Sequence, residues 1–138
     1  MPVEFKYLDN GLGFGFTAMG NFQGRELIDA ARHAYQLDKI LRKNKYGIID
    51  YTPVEKFDVS TSDVEAITEM GIVASKIAPD RIIAVVASAE ISHAYSRMWQ
   101  ILSDKISWER MVFREKNEAE KWLKKRVMEQ FNISITLR

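Results

Sequence analysis

RIIAVVA, residues 81–87, is the most continuously apolar stretch of the chain. A strand with one wet face alternates polar and apolar residues. A strand with no wet face reads as an unbroken run rich in β-branched side chains. Arg81 to Ala87 is therefore expected to be a central strand covered on both faces. Pro79 and Asp80 stop the element before it, which is helical, with Val64, Ile67, Met70, Ala74 and Ile77 at spacings of three and four. The element after it is helical too, with Ile91, Ala94, Tyr95, Met98 and Leu102 predicted to form one buried stripe. Helix, strand, helix is the grammar of a parallel sheet joined by crossovers.

The pattern extends in both directions. YGIIDY, residues 46–51, is a short apolar strand, and a helix is expected before it over Arg25 to Lys43. That helix carries Leu27, Ala31 and Ala34, widened by Ile28, Tyr35, Leu37 and Leu41. Gly20 to Gly24 reads as a loop. In LGFGFTAM, residues 12–19, Leu12, Phe14, Phe16 and Ala18 share one face and Gly13 and Gly15 the other, leaving room for a close neighbour. Val3 to Leu8 alternates, Asp9-Asn10-Gly11 follows, and Asn10-Gly11 supplies the positive φ angles of a tight primed turn, so the chain opens with a hairpin. Toward the other end, Trp108 to Arg114 reads as a strand. NEAE, residues 117–120, has a capping pattern with Asn117 as cap, and the last helix buries Ala119, Trp122, Leu123 and Val127. NISITLR, residues 132–138, alternates; it is expected to form an extra strand or a tail ordered by a partner, giving a homodimer through this C-terminal segment.

The order is β-β-α-β-α-β-α-β-α with an optional terminal strand. It specifies one α/β domain over residues 1–138, with a mixed, mostly parallel sheet, an N-terminal hairpin and four helices.

Composition narrows the function. The chain has 138 residues, enough for a real core, with 46% apolar and 28% charged side chains and a formal charge of +1. That balance gives no bulk attraction to nucleic acid or to an anionic membrane, so neither is expected as a partner. The basic residues Lys121, Lys124, Lys125 and Arg126 interleave with Glu118, Glu120 and Glu129, as on a solvated helix face. The absence of cysteine removes disulfides and thiolate chemistry and fits a reducing compartment. MPVEFKYLDNG carries no secretory pattern and no apolar run approaches membrane-spanning length, so a cytoplasmic location without a membrane span is expected.

No catalytic constellation emerges. His33 and His93 are the only histidines, neither has a second histidine four residues away, and no metal or other cofactor is expected. GLGFGF, residues 11–16, puts its glycines inside a strand and not between strand and helix, so it is not a phosphate loop. Phe, Met and Trp side chains are numerous enough to line an apolar pocket. The carboxyl ends of parallel strands are where ligands gather, which brings forward Asp50 and Thr52 after the third strand. Asp58, Ser60, Thr61 and Ser62 follow at the start of the next helix. There Ser62 with Glu65 reads as a capping box, and Ser60 with Asp63 as the alternative one register earlier.

The YGIIDYT strand followed by KFDVSTSDVEAI, the RIIAVVA strand and the closing NEAEKWL helix together resemble the STAS superfamily. They are most similar to its SpoIIAA-like branch of small bacterial proteins, whose members commonly end in an EAxxWL-type helix. Members that antagonise anti-sigma factors carry Asp-Ser-Ser-Gly at the start of the second helix, and a partner kinase phosphorylates the first serine. Residue by residue, that Asp matches Asp58, the phosphoacceptor falls on Val59, the second serine on Ser60 and the glycine on Thr61. The resemblance implies a non-enzymatic binding or regulatory module without the phosphoswitch. It would meet a regulatory protein or a small ligand near Asp50, Thr52, Asp58, Ser60, Thr61 and Ser62. The branch is also similar in fold to lipid-carrying domains, which implies the alternative of a carrier or sensor of a small apolar ligand.

Overall fold

A computed structural model describes residues 3–36 and 38–138. The elements are β1 (Val3–Leu8), β2 (Gly13–Ala18), β3 (Gly20–Gln23), α1 (Gly24–Tyr35), α2 (Asp38–Lys43), β4 (Tyr46–Asp50), β5 (Val54–Asp58), α3 (Thr61–Ile77), β6 (Ile82–Val86), α4 (Glu90–Leu102), β7 (Glu109–Phe113) and α5 (Lys116–Phe131). The main sheet has the order β1-β2-β4-β6-β7. β1 runs antiparallel to β2, and the other neighbours are parallel. The apolar run from Ile82 to Ala87 is buried throughout, as a strand covered on both faces must be.

The strand order advances one way from β2 to β7. Right-handed crossovers stepping in one direction put their helices on one face. Accordingly α1 packs on α3 and α3 on α4, over a core that includes Phe14, Phe16, Ile83 and Val85. Among the described helices only α5, which follows the last strand, covers the opposite face, where Ala119, Leu123 and Val127 meet Leu8, Tyr46, Ile48, Ala84 and Val86. Arg126 fixes α5 to β7 by donating to both Glu109 oxygens at 2.6 and 2.7 Å. No described helix is long and apolar enough to cross a membrane.

Glycines and rings alternate across the β2–β4 seam. Gly13 pairs with Tyr46 and Phe14 with Gly47. A Cβ at Gly13 would overlap the Tyr46 ring, and one at Gly47 would overlap the Phe14 ring, on the opposite face. Each ring lies over its neighbour's backbone, the close approach that the Gly13 spacing foreshadows.

Several elements differ from expectation. The helix expected over 25–43 is two, α1 and α2; Leu37 lies outside the described residues. GNFQ, expected in a loop, and VEKFD, for which no element was expected, form a two-stranded parallel sheet, β3 with β5. Each strand contributes one buried aromatic, Phe22 or Phe57, so neither shows periodicity alone. Helix α4 is rotated in part from its predicted stripe: Tyr95 and Met98 pack against the core, but Ile91, Ala94 and Leu102 are exposed, while Ser92 and Ser96 are buried. The Ser92 hydroxyl donates to the Ala89 carbonyl at 3.2 Å, which lets it face inward. Helix α5 begins at Lys116 behind an extended Glu115, so Asn117 does not cap it. The terminal segment forms no strand. Asn132, left-handed at φ 56°, ends α5, and the chain turns back to Asp9. The Asp9 carboxylate accepts from Thr136 N–H at 3.1 Å, Thr136 O–H at 2.6 Å and Leu137 N–H at 3.1 Å, and from the Tyr46 phenol. Ile135 is buried beneath α5's side of the sheet.

Candidate functional site

Ligand crevices in open parallel sheets form where the strand order reverses. Here the parallel strands β2, β4, β6 and β7 never reverse, and β3 and β5 continue beyond the carboxyl ends of β2 and β4. The predicted residues there are engaged in holding turns. Asp50 is buried, and its Oδ1 accepts from the Thr52 N–H at 2.9 Å and the Thr52 hydroxyl at 2.7 Å. Its Oδ2 lies 3.7 Å from the Lys116 ammonium. This is an Asx turn with a surface cation beside it.

At the β5–α3 junction, Ser60 is the N-cap. Its hydroxyl accepts from Asp63 N–H at 3.1 Å, and Asp63 Oδ2 accepts from Ser60 N–H at 2.8 Å. The earlier of the two predicted registers is therefore the real one, and Ser62 does not cap. Asp58, Ser60, Thr61 and Ser62 are all exposed, as is Thr52. Val59, at the position that matches the phosphoacceptor, is 4% exposed and packs into the core. The candidate residues thus form two groups: Asp50 with Thr52, and Asp58 with the three hydroxyls.

The inner side of that junction leads to a feature the sequence left without residues. Val59 and Val64 help to wall a cavity of about 80 Å³ between the sheet and helices α1, α3 and α4. By that measure one water needs roughly 10–15 Å³, so the space is several waters or one ring in size. Phe16, Ile83 and Val85 form its floor, with Ala30, Ala34 and Tyr35 of α1 on one side. At its carboxyl end Phe16, Phe22, Tyr51, Phe57 and Tyr95 form a continuous aromatic cluster, with centroid separations of 5.5 to 6.4 Å. At its other end stand Tyr35, Trp99 and Trp108. Trp108 donates its indole N–H to the Ala78 carbonyl at 2.6 Å. Burial pushes the Tyr51 phenol up, and the Tyr35 phenol up against the opposing pull of Arg81 and Arg110. Both phenols are neutral donors at physiological pH. Among the described residues no methionine lines the space, so the Phe and Trp half of the predicted lining is present without the Met half.

Sequence reasoning missed three polar residues around this cavity. Ser96 lines it, is 6% exposed, and its hydroxyl has no partner. Arg81 and Arg110 stand behind the aromatic end, over Trp108 and Trp99. A signal for Arg110 was present: in WERMVF it shares the strand face of Trp108 and Val112, where an apolar residue is expected. Among the described residues, no group of three or more His, Asp or Glu side chains is placed to hold a metal. His33 packs edge-on against Phe5 at 4.9 Å.

No described protein family and no curated protein matches the chain. A solved structure does: an uncharacterized protein of the DUF3478 family with a SpoIIAA-like fold, from Shewanella loihica PV-4, superposes with a TM-score of 0.51 at 15% identity. The match covers 88% of this chain and 91% of that one. At that identity the likeness concerns the fold alone, and it is the fold that the resemblance in sequence implied: this chain has a mixed α/β, SpoIIAA-like fold.

Proposed function

We propose that this chain is a non-enzymatic cytoplasmic binding module that takes a small, largely apolar ligand into the cavity beneath the β5–α3 junction. The observation that carries this reading is the cavity itself. Cores of this size close to near-crystalline density, leaving few voids larger than a water. An aromatic-walled space of about 80 Å³ therefore asks for an occupant. Val59 and Val64 face it, while Ser60, Thr61 and Ser62, on the same turns, face solvent. An occupant acts on the inside of the segment whose outside is open to a regulatory protein, which makes the junction the natural partner surface. With Val59 turned inward, the reading includes no phosphoswitch at that position.

Native mass spectrometry of the gently purified protein tests the proposal. The expected result is a bound species whose mass excess is lost on organic extraction. Apo protein alone, with no rise in melting temperature when small neutral apolar compounds are added, contradicts it.

A further inference from the structure

Two arginines stand behind the Trp end of the cavity, outside its lining, and bear on what kind of ligand fits. Arg81, immediately before β6, is 3% exposed. Its guanidinium lies 4.9 Å from the Trp108 ring centroid and 5.5 Å from that of Phe14. Nε donates to the Asn44 carbonyl at 3.3 Å and Nη2 to the Asn44 side-chain oxygen, but Nη1 is buried without a partner. Arg110 lies over Trp99 at 5.3 Å, and its Nε and Nη1 are also buried without partners. Arg110 is register-paired with Ile83, two residues after Arg81, so both guanidiniums stand on the helix-covered face of adjacent strands. Both act electrostatically on Tyr35, which lines the cavity.

Neither arginine makes an ion pair among the described residues. Asp104 raises the Arg110 pKa only by Coulombic interaction from beyond ion-pair distance. Arg81 is buried and Arg110 half-buried; a guanidinium held there without an acid is costly, and unmade hydrogen bonds add to that. Structural arginines of this kind are normally matched. Three unpartnered nitrogens on two cations, Nη1 of Arg81 and Nε and Nη1 of Arg110, behind an apolar cavity that also holds the unpartnered Ser96 hydroxyl, are complementary to one chemistry. It is an anion with planar, two-oxygen geometry on an apolar body.

This inference rests on the cavity reading above and makes it specific. We propose that the ligand is a small amphipathic monocarboxylate, its apolar body among Phe16, Val59, Val64 and Val85 and its carboxylate toward Arg81 and Arg110. The guanidiniums then act as ligand-binding groups whose missing partner is the ligand.

Calorimetric titration of the full chain at pH 7 with hexanoate and with 1-hexanol separates the two claims. Hexanoate is expected to bind at least about tenfold more tightly, the difference that charge-assisted hydrogen bonds supply. Arg110→Gln is expected to bring the two ligands within about twofold while leaving hexanol unchanged, and Arg110→Lys to fall between. If hexanol binds wild-type protein as tightly as hexanoate, the carboxylate proposal is overturned and the apolar cavity stands. If neither binds, both fail. Loss of hexanol and hexanoate in equal proportion in Arg110→Gln also overturns the proposal, because it marks a structural role. The wild-type comparison decides the matter even where a variant does not fold.

Discussion

Gly24 leaves the space in which the Asp63 carboxylate sits: a Cβ on Gly24 would overlap Asp63 Oδ2. That oxygen accepts the Ser60 N–H and completes the cap of α3, so the first residue of α1 and the start of α3 are mutually dependent. Gly24→Ala is expected to displace the carboxylate and destabilise by about 1–3 kcal/mol. Ser60→Ala, which removes only the hydroxyl half of the cap, is expected to cost about 1 kcal/mol. Urea denaturation of the two variants and their double checks this. The double should lose less than the sum, since both act on one cap.

Asp9 ties the first turn to the terminal segment. Burial raises its pKa, but the hydrogen bonds from Thr136, Tyr46 and Leu137 outweigh that and hold the carboxyl below its usual range. The folded chain thus binds the Asp9 proton less readily than the unfolded chain. Its contribution to stability is complete above the ordinary carboxylate range and is lost as pH falls through the lowered folded value. Asp9→Asn is expected to destabilise at pH 7, with the gap to wild type narrowing below about pH 4. Urea midpoints at pH 7, 4 and 3 measure it. A gap independent of pH contradicts the assignment. Tyr46→Phe, which keeps the ring over Gly13 and removes the donor to Asp9, is expected to cost about 1–3 kcal/mol at pH 7.

Arg110 distinguishes a ligand-binding arginine from a structural one. Burial lowers the Arg110 pKa, and no described carboxylate pairs with it. Arg110→Met keeps contact with Trp99 and removes the uncompensated charge. It is expected to leave stability unchanged or raise it by about 1 kcal/mol. A loss above about 2 kcal/mol shows that the guanidinium supports the fold.

The fold was legible because its strongest signals are one-dimensional. An unbroken apolar run at Ile82–Ala87, flanked by helical spacing and a Pro stop, admits little besides a central parallel strand. Asn10 and Gly11, at φ 56° and 89°, have the positive angles that the hairpin turn requires. What failed depends on partners distant in sequence. β3 and β5 have one buried aromatic each and exist because they pair with each other. The rotation of α4 was hidden because serine reads as wet, and the helix's own carbonyls satisfy Ser92. The site was legible only from outside. Asp50, Asp58 and the Ser60–Ser62 hydroxyls drew attention as polar residues at strand and helix ends. The cavity behind them is a property of three helices and a sheet together, and no spacing announces it.

Filling that space gives the complementary prediction. Ala34→Leu, at the α1 side of the cavity, is expected to raise the thermal midpoint by burying more apolar surface and to abolish binding of neutral apolar probes. Thermal scans with and without 1-hexanol separate the two effects. A variant that still gains stability from hexanol contradicts the location of the site.

The most direct test is an amide-resolved NMR titration of the full chain with 1-hexanol. Saturable shifts are expected, confined to Val59, Val64, Val85 and Ser96 and their neighbours, with Ala119, Leu123 and Val127 on the opposite face unchanged. Shifts that never saturate, or that cluster on the exposed α4 residues Ile91, Ile101 and Leu102, would contradict that expectation.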